Sequence, residues 1–242
     1  MKQNRWIPGF ALFLLLAMLA CTIPGVGPGD GPAATPTPLG DTLSFAIPAY
    51  TYSLEQGETI PGTQLRYVER SGDTYKVTID GLEAIKRTGD SFLWDGLVAP
   101  GVYANYNLRL TTSVFGTLPV AGSVEITVFY PQPVALDKLP NLDTALDYRN
   151  TVVNYLIPAG RQIPGTSLVY SGLSDQQEGD KTIRLAQLTG LTGYPYLAVG
   201  DSLHWQGSLL NNVVIENNMR VISINEDGLR LAGTANLWIL QP

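Results

Sequence analysis

The chain has 242 residues, 25 glycines, 17 prolines and a formal net charge of −6 at pH 7. An acidic chain offers little counter-charge to nucleic acid or to an anionic lipid surface, so we expect neither as a partner. The many turn-forming residues, together with abundant Thr, Val and Tyr, favour an all-β protein over a helical one.

Residues 1–20 have the composition of a secretory signal peptide. Lys2 and Arg5 are the only charged residues in this stretch, and the apolar run FALFLLLAMLA extends from Phe10 to Ala20. Its eleven residues are too few to cross a bilayer core, which needs roughly twenty in a helix. A basic start, a short apolar core and a small residue at position 20 predict export and cleavage after Ala20.

The residue after the predicted cleavage site is the only cysteine of the chain, Cys21. The run Met18-Leu19-Ala20-Cys21 resembles the lipobox of bacterial lipoproteins, with methionine where leucine is commoner. The resemblance covers the leader alone. It implies that the Cys21 thiol carries a diacylglycerol and that Cys21 becomes the new N-terminus. We therefore expect an extracytoplasmic protein anchored to a membrane, at the cell surface or the periplasmic face; the alternative is an ordinary buried cysteine.

The segment that follows, residues 21–42, is rich in Gly, Pro, Ala and Thr. Such a composition contains too little apolar surface to offset the entropy of ordering, so we interpret it as a tether. Without Lys2 and Arg5 the mature chain has 13 basic against 21 acidic residues, a formal charge of −8.

The rest of the chain contains an internal duplication. YSLEQGETIPGTQLRY starts at Tyr52 and YLIPAGRQIPGTSLVY starts at Tyr155, an offset of 103. GDSFLWDG at Gly89 and GDSLHWQG at Gly200 are offset by 111, as are two later blocks. We predict two tandem homologous domains at 43–131 and 146–242, joined by a linker at 132–145. The eight extra residues of the second copy are expected near 174–180 and 192–197.

Each copy is predicted to form six or seven strands, because short runs such as SVEITVF alternate apolar and polar residues. That number suits a small β-sandwich or a small β-barrel, and the sequence does not distinguish them. Shared features are expected to serve the shared fold. Ile-Pro-Gly-Thr predicts a type II turn, Asp90 and Asp201 are expected to accept hydrogen bonds from nearby backbone amides, and Trp94 and Trp205 are expected in the core.

Residues present in one copy only are free to serve a ligand or a partner. His204 stands where the first copy has Leu93, and Trp238 stands where it has Thr127. Tyr194 and Tyr196 occur in GLTGYPYLAVGD, a loop without a full counterpart. The predicted contact residues are therefore Trp238, Tyr194, Tyr196 and His204. Trp238 is expected to point away from its own core, either towards a ligand or against the other domain.

No constellation of reactive side chains marks an active site, so we expect no enzyme, no cofactor and no metal built from Cys and His. The leading hypothesis is a non-catalytic module that binds an envelope glycan, peptide or protein. One alternative is an extracytoplasmic hydrolase that uses carboxylates or Ser202 with His204. These two side chains share a strand face, but neighbours at that spacing lie about 6.5–7 Å apart, beyond direct hydrogen-bond reach. The other alternative is a structural or assembly lipoprotein without a small ligand.

Overall fold

The computed structural model describes residues 41–112 and 116–241, and all regular structure in this range is β-strand. The prediction of an all-β fold is confirmed. The strands form four open antiparallel sheets, and none of them closes into a barrel within the described range. The predicted leader, Cys21 and all but the last residues of the tether lie outside the described residues.

The first repeat forms a four-stranded sheet, in the order β1-β7-β6-β5, and a three-stranded sheet, β2-β3-β4. Its strands are β1 (Thr42–Leu54), β2 (Leu65–Ser71), β3 (Thr74–Ile79), β4 (Leu82–Lys86), β5 (Ser91–Ala99), β6 (Val102–Leu110) and β7 (Leu118–Phe129). The strand β6 alternates buried and exposed residues along its length, so the larger sheet has one face in the core and one towards solvent.

The second repeat has the same plan with additions. Its larger sheet has the order β8-β14-β15-β16-β9, and its smaller sheet the order β10-β11-β12-β13. The strands are β8 (Val134–Ala135), β9 (Leu146–Ile157), β10 (Arg161–Gln162), β11 (Val169–Glu178), β12 (Lys181–Thr189), β13 (Tyr196–Leu197), β14 (Ser202–Leu210), β15 (Val213–Asn225) and β16 (Gly228–Ile239). The strand β8 belongs to the linker and has no equivalent among the described residues of repeat 1.

The smaller sheet of each repeat packs against the larger sheet of the same repeat, which gives a sandwich of two layers. One cluster of buried apolar side chains nevertheless extends through both repeats, which belong to a single compact unit. The strands β1 and β9 lie side by side where the repeats meet.

The contacts between the repeats are reciprocal. A Cβ atom on Gly62 of repeat 1 would lie 2.6 Å from Leu146 Cδ1 of repeat 2. A Cβ atom on Gly165, the equivalent glycine of repeat 2, would lie 3.2 Å from Leu43 Cδ2 of repeat 1. Leu43 and Leu146 are themselves equivalent under the offset of 103. The Ile-Pro-Gly-Thr turn of each repeat therefore packs on the first strand of the other repeat.

Both of these turns have the predicted type II geometry. Thr63 N donates to Ile60 O at 3.0 Å, and Thr166 N donates to Ile163 O at 3.1 Å. Gly62 has a φ of 75°, the left-handed conformation that the third position of a type II turn requires. Position 62 therefore requires glycine for two reasons: its φ is positive, and a Cβ atom would collide with Leu146.

Three tyrosines fill one side of the junction between the repeats. The Tyr106 and Tyr148 hydroxyl groups lie 2.5 Å apart, and the Tyr50 ring meets the Tyr106 ring edge-on at 5.6 Å. Repeat 2 has Asn217 in place of Tyr106, and this fully buried side chain reaches only Gly165 O, at 3.4 Å. The two sides of the junction are therefore related by the duplication but differ in chemistry.

The shared tryptophans lie in the core, as predicted. Trp94 is 7% exposed and Trp205 is 6% exposed. Trp94 Nε1 donates to Asp80 Oδ1 at 2.9 Å, whereas Trp205 Nε1 is buried without a partner among the described residues. The shared aspartates also behave as predicted. Asp90 Oδ2 accepts from Arg87 N and Asp201 Oδ2 accepts from Ala198 N, each at 2.7 Å.

Candidate functional site

The candidate site arises where repeat 2 is longer than repeat 1. The pair Tyr67–Val77 between β2 and β3 corresponds to Tyr170–Leu188 between β11 and β12, with the same β-bulge beside it. The offset is 103 on the first strand of the hairpin and 111 on the second. All eight extra residues therefore lengthen the β11–β12 hairpin, about four on each strand. The expectation that some of them lie at 192–197 is wrong, since Tyr196 pairs with Gln187 just as Ile85 pairs with Lys76.

The lengthened hairpin and the turn before β14 enclose a groove of about 430 Å³, which we call the tyrosine groove. Ligand pockets typically enclose about 300–1,000 Å³. The groove is lined by Gln176, Gln177, Ile183, Leu185, Tyr194, Tyr196, Ala198 and Asp201. Two of the predicted contact residues, Tyr194 and Tyr196, thus lie together in one concavity.

The two tyrosine rings form one wall of the groove. Their centroids lie 5.3 Å apart and their planes are inclined by 57°. Tyr196 is held in place by β13, and Pro195 O accepts a hydrogen bond from Leu188 N at 2.8 Å. Tyr194 is 65% exposed, and its hydroxyl donates to Gln176 Oε1 at 3.2 Å. The backbone of the loop is therefore fixed by the sheet, while the Tyr194 ring presents a large apolar surface to solvent.

Apolar side chains form the floor of the groove. Leu185 is 7% exposed but does not belong to the main core cluster. Neighbouring Ala186 belongs to that cluster, so Leu185 points to the opposite face of the small sheet. Ile183, two residues along the same strand, lies on the same face. Leu185 and Ile183 thus form a small apolar patch beside the tyrosines.

The polar groups of the groove are neutral or negative. Gln176 Oε1 accepts from Tyr194, which leaves the amide nitrogen of Gln176 as a donor for a ligand. Gln177 pairs with Thr182 across the hairpin, and its Nε2 donates to Thr182 Oγ1 at 2.8 Å on the face opposite Gln176 and Ile183. Asp201 uses one carboxylate oxygen for Ala198 N. Among the described residues, none of those lining the groove is Lys, Arg or His.

His204 lies elsewhere, on the solvent face of the larger sheet. Its Nδ1 is 2.7 Å from Asn218 Oδ1, and its Nε2 is 3.9 Å from Glu216 Oε1. Ser202 lines the same shallow cleft of about 250 Å³, but no hydrogen bond joins Ser202 to His204 in the described part of the chain. The Nε2 atom, which would act as the base, lies nearest the Glu216 carboxylate, so the geometry does not support the hypothesis of serine–histidine chemistry.

Trp238 does lie on the side of the sheet away from the main core, as expected, but it is only 6% exposed. It pairs with Val214 on β15, which is also buried and also outside the main cluster. The linker runs from β8 at one edge of this sheet to β9 at the other. Three leucines along it, at positions 136, 139 and 142, are half-buried. We infer that this crossing covers Trp238, which leaves its ring almost no surface for a ligand.

The sequence did not single out five of the residues that line the groove: Gln176, Gln177, Ile183, Leu185 and Ala198. None is a reactive or aromatic residue, and none belongs to a motif. The available signal was the extra length between Tyr170 and Gly200, which marked a structure specific to repeat 2. The strand register was needed to assign the eight extra residues to the hairpin and not to the loop that follows it.

The described residues contain no cluster of three or more His, Cys, Asp and Glu side chains that could hold a metal ion. Over residues 41–112 and 116–241, no helix has the length and apolar character needed to cross a bilayer. Comparison with protein-family models, curated proteins and solved structures finds no match to this chain.

Proposed function

We propose that this protein is a lipid-anchored, extracytoplasmic binding module that holds a neutral saccharide in the tyrosine groove. The observation that carries the proposal is the grouping of Tyr194 and Tyr196 with the Gln176 amide in a concavity built by the hairpin extension of repeat 2. Repeat 1 has the same β-framework without the lengthened hairpin, so the groove is an addition that the shared fold does not require.

The composition of the groove supports a saccharide. A pyranose ring presents C–H groups on its faces and hydroxyl groups around its rim. The exposed Tyr194 ring and the Ile183–Leu185 patch offer apolar surface for a ring face. The amide nitrogen of Gln176 and the second carboxylate oxygen of Asp201 offer one donor and one acceptor for hydroxyl groups.

Charge favours a neutral ligand over an anionic one. The described lining contains one carboxylate and no cation, so an anionic sugar or phosphate would enter without a counter-charge. The predicted mature chain also has a net negative charge, which repels an anionic ligand. A peptide is the competing ligand, and the test below includes it.

The proposal predicts saturable binding of a neutral oligosaccharide by the full-length chain carrying Cys21→Ser. The probes are glucose-, galactose-, mannose- and N-acetylglucosamine-based oligomers, with an extended peptide mixture in parallel, measured by calorimetry. Tyr194→Ala is expected to weaken binding at least about tenfold, since exposed aromatic anchors carry much of the energy at such sites. The matched control is Tyr130→Ala, because Tyr130 is equally exposed at 66% but lies outside the groove. Binding of peptides alone, or of no probe, would refute the saccharide.

The anchor makes a separate prediction at Cys21. The wild-type chain, expressed in a bacterium that processes lipoproteins, is expected to partition into the detergent phase, and Cys21→Ser into the aqueous phase. Two or more acyl chains bind a membrane far more stably than one, so the difference should be nearly complete. Ala34→Ser, a change in the same segment away from the thiol, is the control. Equal partitioning of wild type and Cys21→Ser would contradict lipidation.

A further inference from the structure

The edge of β5 in repeat 1 is open, whereas the equivalent edge in repeat 2 is covered. Within the described residues β5 pairs with β6 alone and ends the sheet. Its equivalent β14 pairs with β15 on one side and with the linker strand β8 on the other. The protein therefore contains an example of how a strand is added at this position of the fold.

The added strand makes defined backbone contacts. Gln132 N donates to Leu209 O at 2.7 Å, and Leu136 N donates to Gln206 O at 3.1 Å. The Gln206 side chain donates to the carbonyl oxygens of Leu136 and Asp137, at 3.1 and 3.0 Å. A Cβ atom on Gly207 would lie 2.2 Å from Trp205 Cη2 and 2.4 Å from Val134 O, so this glycine makes room both for the tryptophan ring and for the added backbone. Repeat 1 has a glycine, Gly96, at the equivalent position, where a Cβ atom would lie 2.7 Å from the Trp94 ring.

The free edge of β5 presents three residues. Leu110 N bonds to Asp90 O, so the residues of β5 that bond to β6 are those at even positions. The N–H and C=O groups of Leu93, Asp95 and Leu97 therefore point away from β6. Their side chains lie on the solvent face, where Leu93 is 50% and Leu97 is 65% exposed. Natural edge strands usually carry charged residues, proline or a bulge against unwanted pairing; from Leu93 to Leu97 this strand carries only Asp95, and its bulge lies between Leu97 and Ala99.

We infer that the β5 edge is a docking site for an extended segment of a partner protein, which adds as an antiparallel strand beside residues 93–97. The segment has apolar side chains facing Leu93 and Leu97 and a lysine or arginine facing Asp95. This mode is strand addition to an exposed sheet edge, in which backbone hydrogen bonds give affinity and alternate side chains give selectivity.

Charge selects a cationic segment. Where repeat 2 has Gln206, which donates to the carbonyls of the added strand, repeat 1 has Asp95, which can only accept when ionised. Asp95 Oδ2 already accepts from Tyr103 OH at 2.5 Å, and its other oxygen is available to a donor. A second copy of β5 fits less well. In the antiparallel register that pairs all three free residues, the two Asp95 carboxylates face each other, and directly opposed like charges destabilise a strand pair.

The test uses the full-length chain carrying Cys21→Ser as bait for a displayed library of random octapeptides, with counter-selection on the same chain carrying Leu97→Pro. Proline at position 97 removes a backbone donor from the free edge and leaves the β5–β6 ladder intact. The expected result is enrichment of peptides that alternate apolar residues around a Lys or Arg. Their affinity should fall at least tenfold for Leu97→Pro, and tenfold again when alternate peptide amides are N-methylated.

A second variant keeps the inference testable if Leu97→Pro does not fold. Asp95→Lys leaves every backbone group of the edge in place. The variant should select anionic peptides, where the wild type selects cationic ones. Val152→Ala, at a side chain of repeat 2 that is 70% exposed and lies in neither site, should bind the selected peptides as the wild type does.

Backbone amide exchange identifies the occupant. The amides of Leu93, Asp95 and Leu97 should exchange rapidly in the bait alone and at least tenfold more slowly when the peptide is bound. Protection of these amides without peptide would overturn the inference. Concentration-independent protection would indicate that the chain covers its own edge, and protection that rises with protein concentration would indicate a second copy. Failure to enrich any peptide against Leu97→Pro would also overturn it.

Discussion

Replacement of Gly233 by alanine is expected to lower the free energy of unfolding by about 3 kcal/mol. A Cβ atom at this position would lie 2.1 Å from Asn218 O and 2.8 Å from Met219 Cα. Both are backbone atoms of β15, which pairs with β16 along twelve residues of the repeat 2 sheet. Backbone cannot move aside as the end of a flexible side chain can, so the methyl group has to separate the two strands and weaken their ladder.

Repeat 1 has an equivalent glycine, Gly122, at which the same substitution can be tested. A Cβ atom on Gly122 would lie 2.1 Å from Asn107 O in repeat 1, so Gly122→Ala is expected to destabilise to a similar extent. Gly193 is the control, because its φ is 92° and nothing lies within 4 Å of a Cβ placed there. Gly193→Ala should cost only the backbone strain, about 1–2 kcal/mol. Urea denaturation followed by tryptophan fluorescence measures all three. A loss at Gly233 no larger than at Gly193 would refute the steric argument.

Alkaline pH is expected to unfold the protein through the tyrosines at the junction between the repeats. Burial, followed by the neighbouring Tyr148, raises the pKa of Tyr106 above its ordinary value of 10.0. Burial is also the largest cause of the raised pKa values of Tyr148 and Tyr50. Each of these phenols is held neutral in the folded protein, in a position where an ionised oxygen would be poorly solvated.

The direction of the pH dependence follows from the raised pKa values. The folded state binds these protons more tightly than the unfolded chain, so the stabilisation is complete below about pH 10 and is lost as the pH rises further towards the folded pKa values. Each phenol that ionises only on unfolding contributes about 1.4 kcal/mol per pH unit. Urea denaturation at intervals from pH 8 to 12 should show this decline.

The control for the alkaline transition is the double substitution Tyr106→Phe with Tyr148→Phe. Removal of both partners of one buried hydrogen bond is close to neutral at pH 8, because neither hydroxyl remains unpaired. The double variant should lose stability less steeply above pH 10 than the wild type. An unchanged slope would show that other groups control the alkaline transition.

Several local features were predictable because neighbouring residues determine them. Ile60-Pro-Gly-Thr63 forms a type II turn because proline fixes one φ and glycine permits the next. Asp90 and Asp201 accept bonds from amides three residues away. The alternation of apolar and polar residues along short runs predicted the all-β fold class. The duplication, read from the sequence alone, matched parts of β1, β2, β5, β6 and β7 with their equivalents in repeat 2, whereas β3 and β4 were matched by the strand register.

Other features depended on residues far apart in the chain. Trp238 was expected to face away from its own core, which its strand position supports, yet its side chain is only 6% exposed. The tyrosine groove combines residues of a hairpin, a loop and the turn before β14. No local pattern states that residues about twenty positions apart will line one concavity.

The sequence by itself determined the strand-rich composition, the duplication, the turn chemistry and the predicted lipid attachment at Cys21. Each of these follows from counting residues, from a short run of neighbours or from the likeness of two such runs, and none requires knowing which residues meet in space. Only the tertiary structure decided that the two repeats share one buried interior, that Tyr194 and Tyr196 line a groove with Gln176 and Gln177, and that β14 is covered while β5 is open. Those outcomes depend on which strand edges pair and which apolar faces meet. Pairing across long stretches of chain is set by the packing of the whole molecule, which no single segment contains.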